Sequence, residues 1–153
     1  MNYDLQRFHK AQKFDYPVAL NEIKNGQKES HWMWYIFPQL KELGYSSTAK
    51  YYGLTKDEAI AYIKDEVLKS RLIEISEVLL ELNNNNATSI FGYPDDLKLK
   101  SCMTLFSEIA PEIEVFDKVL EKFFSGKKDN KTLDKDIENT KYKIDAGVDF
   151  LVT

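Results

Sequence analysis

From the N-terminus to Ile109, apolar residues return every three or four positions between short polar or proline-bearing breaks, and nothing shows the strand-rich alternation of a parallel α/β protein. That period belongs to helices with one buried face. Leu5, Phe8 and Ala11 predict a first helix over Asp4 to Lys13. Tyr16-Pro17 opens a second, because proline is tolerated at the first helical position, and Gly26 ends it. Ser30 is placed to cap a short helix stopped before Pro38, since a residue preceding proline avoids the α region. Ser46 or Ser47 begins a brief helix closed by Gly53, and Thr55 with Glu58 forms a capping box for a helix to about Lys64. Val67, Leu68, Leu72, Ile75, Val78, Leu79 and Leu82 then hold the helical period from Asp65 to Leu82. Asn83 to Asn86 reads as a loop, because asparagine competes with helical backbone bonding. Pro94, with Asp95 and Asp96 complementing the positive helix end, starts a helix to about Ile109; another follows from Ile113 to Phe124, closed by Gly126, and Thr132 caps a last short one. Lys127 to Lys143 reads as solvated, and Ile144 to Thr153 either docks as a strand or stays loose. The pattern amounts to an all-α fold: one compact multihelical domain of about seven short-to-medium helices, packed ridge into groove at irregular angles.

Composition narrows the class. A chain of 153 residues, 43% hydrophobic and 13% aromatic, suits one domain with a substantial core. The net charge of −4, with both signs interspersed and no basic stripe, argues against nucleic acid as the main partner. No apolar run approaches the roughly 20 residues that span a bilayer, and the opening MNYDLQRFHK lacks a signal-peptide core, so no membrane association and a cytoplasmic location are expected. The single Cys102 permits no intramolecular disulfide and fits a reducing compartment. His9, His31 and Cys102 lack zinc-like spacing, the acidic residues form no EF-hand pattern, and there is no glycine-rich phosphate loop or glycine-flanked serine elbow. No cofactor and no metal are expected.

Candidate chemistry begins at Ser30 to Gln39, where both tryptophans, His31 and two further aromatics share ten residues ending Phe-Pro-Gln. Rings bury large areas, while the indole N–H, imidazole and Gln39 carboxamide still need partners, so the run is either a core pillar or a pocket wall. Helical projection turns several polar residues inward. Arg71 falls inside the apolar arc of the long helix, Glu22 lies between Val18 and Ile23, and Gln12 shares the sector of Leu5 and Phe8. An inward guanidinium without a partner costs several kcal/mol, so Arg71 is expected to meet Glu22, as a structural ion pair or as part of a site. Around Pro94 to Ile109 the apolar residues leave only a narrow wet strip, which puts Lys98 and Ser101 on or beside buried sectors and Asp95 in the sector of Leu99 and Phe106. Lys98 either snorkels or holds an anion against an aromatic wall; Ser101 can bond back to a carbonyl one turn earlier. His31 is a first-turn imidazole satisfied locally, or a general acid/base in a cleft.

Several separated blocks also resemble the domain-of-unknown-function 1810 family. They are the aromatic run with Gly26 and Lys28 ahead of it; Phe8, Ala11 and Gln12; Ala49, Tyr51 and Gly53; Leu68, Arg71 and Leu72; Ile90-Phe91-Gly92 with Pro94-Asp95-Asp96, Lys98-Leu99, Ser101 and Thr104-Leu105-Phe106; and Phe123, Phe124, Gly126, Asp129 and Thr132-Leu133. The resemblance covers roughly residues 4 to 135. It implies a compact, mostly helical domain found as a small stand-alone bacterial protein, and no reaction; residues 1–135 form that domain and 136–153 a C-terminal extension. Two readings follow. In the first, Trp32 or Trp34 stacks on a ring, Arg71 and Lys98 hold the charge of a small anionic or nucleotide-like ligand with Gln12, Gln39, Asp95 and Ser101 around it, and His31 or Glu22 handles a proton, as in hydrolysis of an N-glycosidic or phosphoester bond. In the second, the polar residues are buried structural pairs and exposed tyrosines such as Tyr45, Tyr51 and Tyr52 dock a protein partner.

Overall fold

The computed structural model describes residues 5–134. The chain passes through α1 (Gln6–Lys24), α2 (Met33–Ile36), a 3-10 turn (Lys41–Leu43), α3 (Ser47–Tyr52), α4 (Lys56–Lys64), α5 (Glu66–Glu81), α6 (Ala87–Phe91), α7 (Asp95–Ile109) and α8 (Val115–Phe124), then enters a further helical segment at 130. Among the described residues the β-type pairing is a single parallel bridge between Leu40 and Leu54. The mainly helical class is as the periodicity predicts; the extension over 136–153 lies outside the described residues.

The two expected N-terminal helices are one. Pro17 sits inside α1, where its missing N–H and ring cost roughly 3 kcal/mol. Phe8, Gln12, Tyr16, Ala19 and Ile23 nevertheless make one unbroken buried stripe against α5 and α2, and burying Phe8 and Ile23, at about 1.5–3 kcal/mol each, outweighs the proline. The helix caps agree with the sequence in part. Thr55 and Glu58 form their capping box, Ser46 Oγ accepts from Ala49 N at 3.0 Å, and Asp65 accepts from Val67 and Leu68 at the head of α5. Ser30 caps nothing: α2 starts three residues later, and the Ser30 hydroxyl donates to Glu22 at 2.5 Å instead. The asparagine tract is a loop that also starts an unforeseen helix, for Asn86 accepts from Ser89 N and caps α6. The last helical segment begins near Asp129 rather than at Thr132, whose hydroxyl donates back to Asp129 at 2.6 Å; Thr132 is fully buried, so this stretch is not uniformly solvated.

The centre is aromatic. Phe8 meets Tyr62 edge-on at 5.2 Å, Tyr62 tilts against Phe106 at 5.5 Å, and Phe106 against Phe116 at 5.8 Å, joining α1, α4, α7 and α8. A second cluster joins Trp32, Phe37 and Phe91, with centroids 5.7–6.5 Å apart. At the C-terminus of α5 the exposed carbonyls are satisfied by a residue of α8: Lys122 Nζ donates to Leu79 O at 2.9 Å, Leu80 O at 3.0 Å and Leu82 O. Gly53 answers to a close approach, since a Cβ there would stand 2.5 Å from Lys41 Cα; the 3-10 turn therefore lies flat against the end of α3, with Lys41 N bonded to Leu54 O at 2.9 Å.

Candidate functional site

The aromatic run divides its two indoles between interior and surface. Trp32 is buried, its Nε1 donating to Glu22 Oε1 at 2.8 Å; Trp34, two residues on, is half-buried on the other side of α2. Glu22 also accepts from Glu29 N at 2.8 Å and Ser30 N at 3.0 Å, so one carboxylate at the end of α1 fastens the whole loop leading to α2. Burial alone would raise the Glu22 carboxyl, but the hydrogen bonds from Ser30, Glu29 and Trp32 outweigh it and hold it down at about 2.

The expected Arg71–Glu22 pair does not form. Glu22 is taken by the loop, and Arg71 instead lies 5.3 Å over the Tyr16 ring, with Nη1 3.3 Å from Gln12 Oε1. Gln12 completes this network by donating to Tyr35 O at 2.7 Å and Tyr62 Oη at 3.1 Å, while Tyr16 donates to Glu74 at 2.5 Å. Helical projection put Arg71, Gln12 and Glu22 in inward sectors correctly, but it carries no axial information: Glu22 lies nearly three turns beyond Gln12 on α1, and Arg71 packs beside Gln12.

Asp95 organises the region that faces outward. Its Oδ2 is 3.0 Å from Lys28 Nζ and its Oδ1 3.3 Å from Lys98 Nζ. Each of these lysines lies 5.1 Å from a tryptophan ring, Lys28 over Trp32 and Lys98 over Trp34. Cations over indole faces gain roughly 0.5–2 kcal/mol as water is excluded. The Lys28 ammonium also donates to Ser30 O at 2.5 Å and its side chain is almost wholly buried, whereas Lys98 keeps about a quarter of its side chain in solvent. Lys98, Trp34 and Gln39 line a recess of about 10 Å³ with Met33, Phe37 and Tyr52. Lys98 and Gln39 also line a larger groove of about 920 Å³, bordered by Tyr45, Tyr93, Leu97, Ser101 and Asp129. Ser101 Oγ lies 2.7 Å from Asp129 Oδ2 and 3.1 Å from Leu97 O, so its single hydroxyl proton is already shared between these two acceptors.

Gln39 and Lys98 thus line both concavities, with Trp34 in the recess, Ser101 on the larger groove and Asp95 paired with Lys98. Trp32, Glu22, Gln12 and Arg71 lie elsewhere, and neither His31 nor Glu22 lines the groove. His31 is exposed and takes part through its backbone, its carbonyl accepting from Tyr35 Oη at 3.3 Å. Among the expected surface tyrosines, Tyr45 and Tyr51 are exposed but Tyr52 is half-buried between Phe8 and Tyr35. Lys28 and Asp129 went unplaced by helical projection because both lie outside regular helices; the signal for them was the resemblance, whose blocks contain both. Among the described residues, no three His, Cys, Asp or Glu side chains gather as a metal site, and no helix is long and apolar enough to cross a membrane.

Comparison with known proteins agrees with the fold. The crystal structure of the conserved hypothetical protein Rv1873 from Mycobacterium tuberculosis, at 1.38 Å, is similar to this chain with a TM-score of 0.84 and 39% identity, covering 86% of this chain and 95% of that one. A search of curated proteins gave no match. The model of the family described as "Protein of unknown function (DUF1810)" matches residues 2–135, and the chain belongs to that family.

Proposed function

We propose that the protein binds a small anionic, nucleotide-like metabolite in the groove between the Gln39–Tyr45 segment and the start of α7. The observation that carries this reading is the Lys98 ammonium held 5.1 Å over the half-buried Trp34 ring by Asp95, beside a groove of about 920 Å³. A volume of this size suits a small metabolite. Lys98 offers a positive charge already positioned, Tyr93 on the groove and Trp34 in the adjoining recess offer ring faces, and Gln39 offers directional hydrogen bonds. Binding is favoured over hydrolysis, because His31 and Glu22, the groups nominated for proton transfer, lie outside this lining and Glu22 already accepts four hydrogen bonds.

Thermal-shift screening of nucleotides and phosphorylated metabolites tests the reading. Hits are expected for ligands carrying both a ring and an anionic group, and Lys98→Ala is expected to weaken them about tenfold, the loss of one charge-assisted contact of ~1.4 kcal/mol. Hits unaffected by Lys98→Ala would overturn it. A blank screen would favour a second reading, docking of a protein partner, for which Tyr45 (87% exposed), Tyr93 (77%) and Leu97 (48%) on the same groove are the motive.

A further inference from the structure

On the far side of Gly53 from the Trp34 recess lies a second groove, of about 410 Å³, whose walls are cationic. α1 contributes Arg7 and Lys10, the 3-10 turn Lys41, and α3 Lys50 and Tyr51; among the described residues the one carboxylate lining it is Glu58 of α4. A net charge of +3 on this lining stands against −4 for the whole chain. Residues 3 positions apart on α1 share a face, but Lys41 and Lys50 are brought to them only by the tertiary fold.

The walls are fixed in place. Arg7 is mostly buried, lies 4.7 Å over the Phe8 ring, donates through Nη2 to Gly53 O at 3.2 Å, and pairs with Glu58 at 3.5 Å. Lys41 is held through its backbone, pressed against Gly53 and bonded to Leu54 O. Tyr51 stands 60% exposed at the rim, its ring edge-on to Tyr52 at 4.8 Å. Four cations around one concavity repel one another, and Glu58 compensates only one of them. A ligand with several closely spaced negative charges relieves that repulsion, and a volume of 410 Å³ limits its size.

We infer that this groove, distinct from the Trp34–Lys98 site, binds a small polyanion of the phosphate class with at least two linked phosphoryl groups. Lys10, Lys41 and Lys50 supply the charge, and Arg7, anchored by Gly53 and Glu58, fixes the wall.

Isothermal titration of the full chain with pyrophosphate, tripolyphosphate and orthophosphate at low ionic strength tests this. Affinity is expected to rise from ortho- to pyro- to tripolyphosphate and to fall with added salt. Lys41→Gln combined with Lys50→Gln should weaken tripolyphosphate at least tenfold, Lys10→Gln alone by a smaller factor, and Lys118→Gln, at an exposed lysine of α8 on neither groove, not at all. Both lysines of the double variant are exposed, and an unchanged circular dichroism spectrum will show that it folds. No binding by the unaltered protein, equal binding by the double variant, or a loss confined to Lys98→Ala would overturn the assignment. So would tighter binding of a single-stranded oligonucleotide through the same lysines, which would make the groove part of a nucleic-acid surface.

Discussion

Glu22 shows how one side chain can hold a loop by being a carboxylate. Three N–H groups and a hydroxyl converge on it, and each is a better donor to an anion than to a neutral acid. Because its folded-state value lies near 2 against an ordinary 4.5, the folded state resists protonation more than the unfolded one does. The stabilisation is therefore complete above about pH 4.5 and is lost as pH falls towards 2. Urea midpoints measured from pH 6 to pH 2 should show the gap between the unaltered protein and Glu22→Gln wide at the neutral end and closing in acid; a gap independent of pH would mean that the charge is not what fastens the loop. At this scale the sequence was half legible. That Glu22, Gln12, Arg71 and Lys98 depart from simple surface positions follows from helical projection, which fixes direction around an axis. Which of them meet depends on axial position and on loops: Arg71 meets the Gln12 amide and the Tyr16 ring instead of the expected Glu22 carboxylate.

Elements show the same division between local and non-local information. α4 and α5 were legible to within a residue or two, because their signals are local: the capping box of Thr55 with Glu58, and the unbroken helical period from Val67 to Leu82. α1 was read as two helices because Pro17 is a local signal, overruled by a stripe of contacts with α5 that no local window contains. The end of α5 is likewise closed from elsewhere, by Lys122 of α8. Replacing Lys122 with Met keeps most of the side-chain volume but leaves those carbonyls without their donor, at a cost of about 1–3 kcal/mol. Chemical denaturation should register that loss, and hydrogen exchange should locate it in the last turn of α5; a stability within about 0.5 kcal/mol of the parent, the ordinary range of neutral surface changes, would show that water replaces the ammonium.

Across the described residues the buried hydrophobic side chains form one connected cluster that takes members from α1, α2 and α4 to α8, with Tyr52 of α3 packed against it and the aromatic chain from Phe8 to Phe116 crossing it. A core without an internal boundary should unfold in one cooperative step. Far-ultraviolet dichroism and tryptophan fluorescence are expected to give coincident denaturation curves, and separated midpoints would show that the segment around the indoles opens independently. The fold class was readable at this scale because periodicity and composition both act over the entire chain. The grooves were not, because a concavity is bounded by residues from separate elements: Lys98 and Gln39 in one, Arg7, Lys41 and Lys50 in the other.

The sealing of one indole and the opening of its neighbour carry a practical consequence. Trp32 is locked to Glu22 inside the protein, and Trp34 lines the recess beside Lys98. Emission from the first reports whether the interior is intact, and quenching of the second by a dissolved collider reports what stands at the groove mouth. The chain contains no other tryptophan, so Trp34→Phe leaves a single-wavelength gauge of folding and Trp32→Phe a gauge of occupancy, with no dye attached.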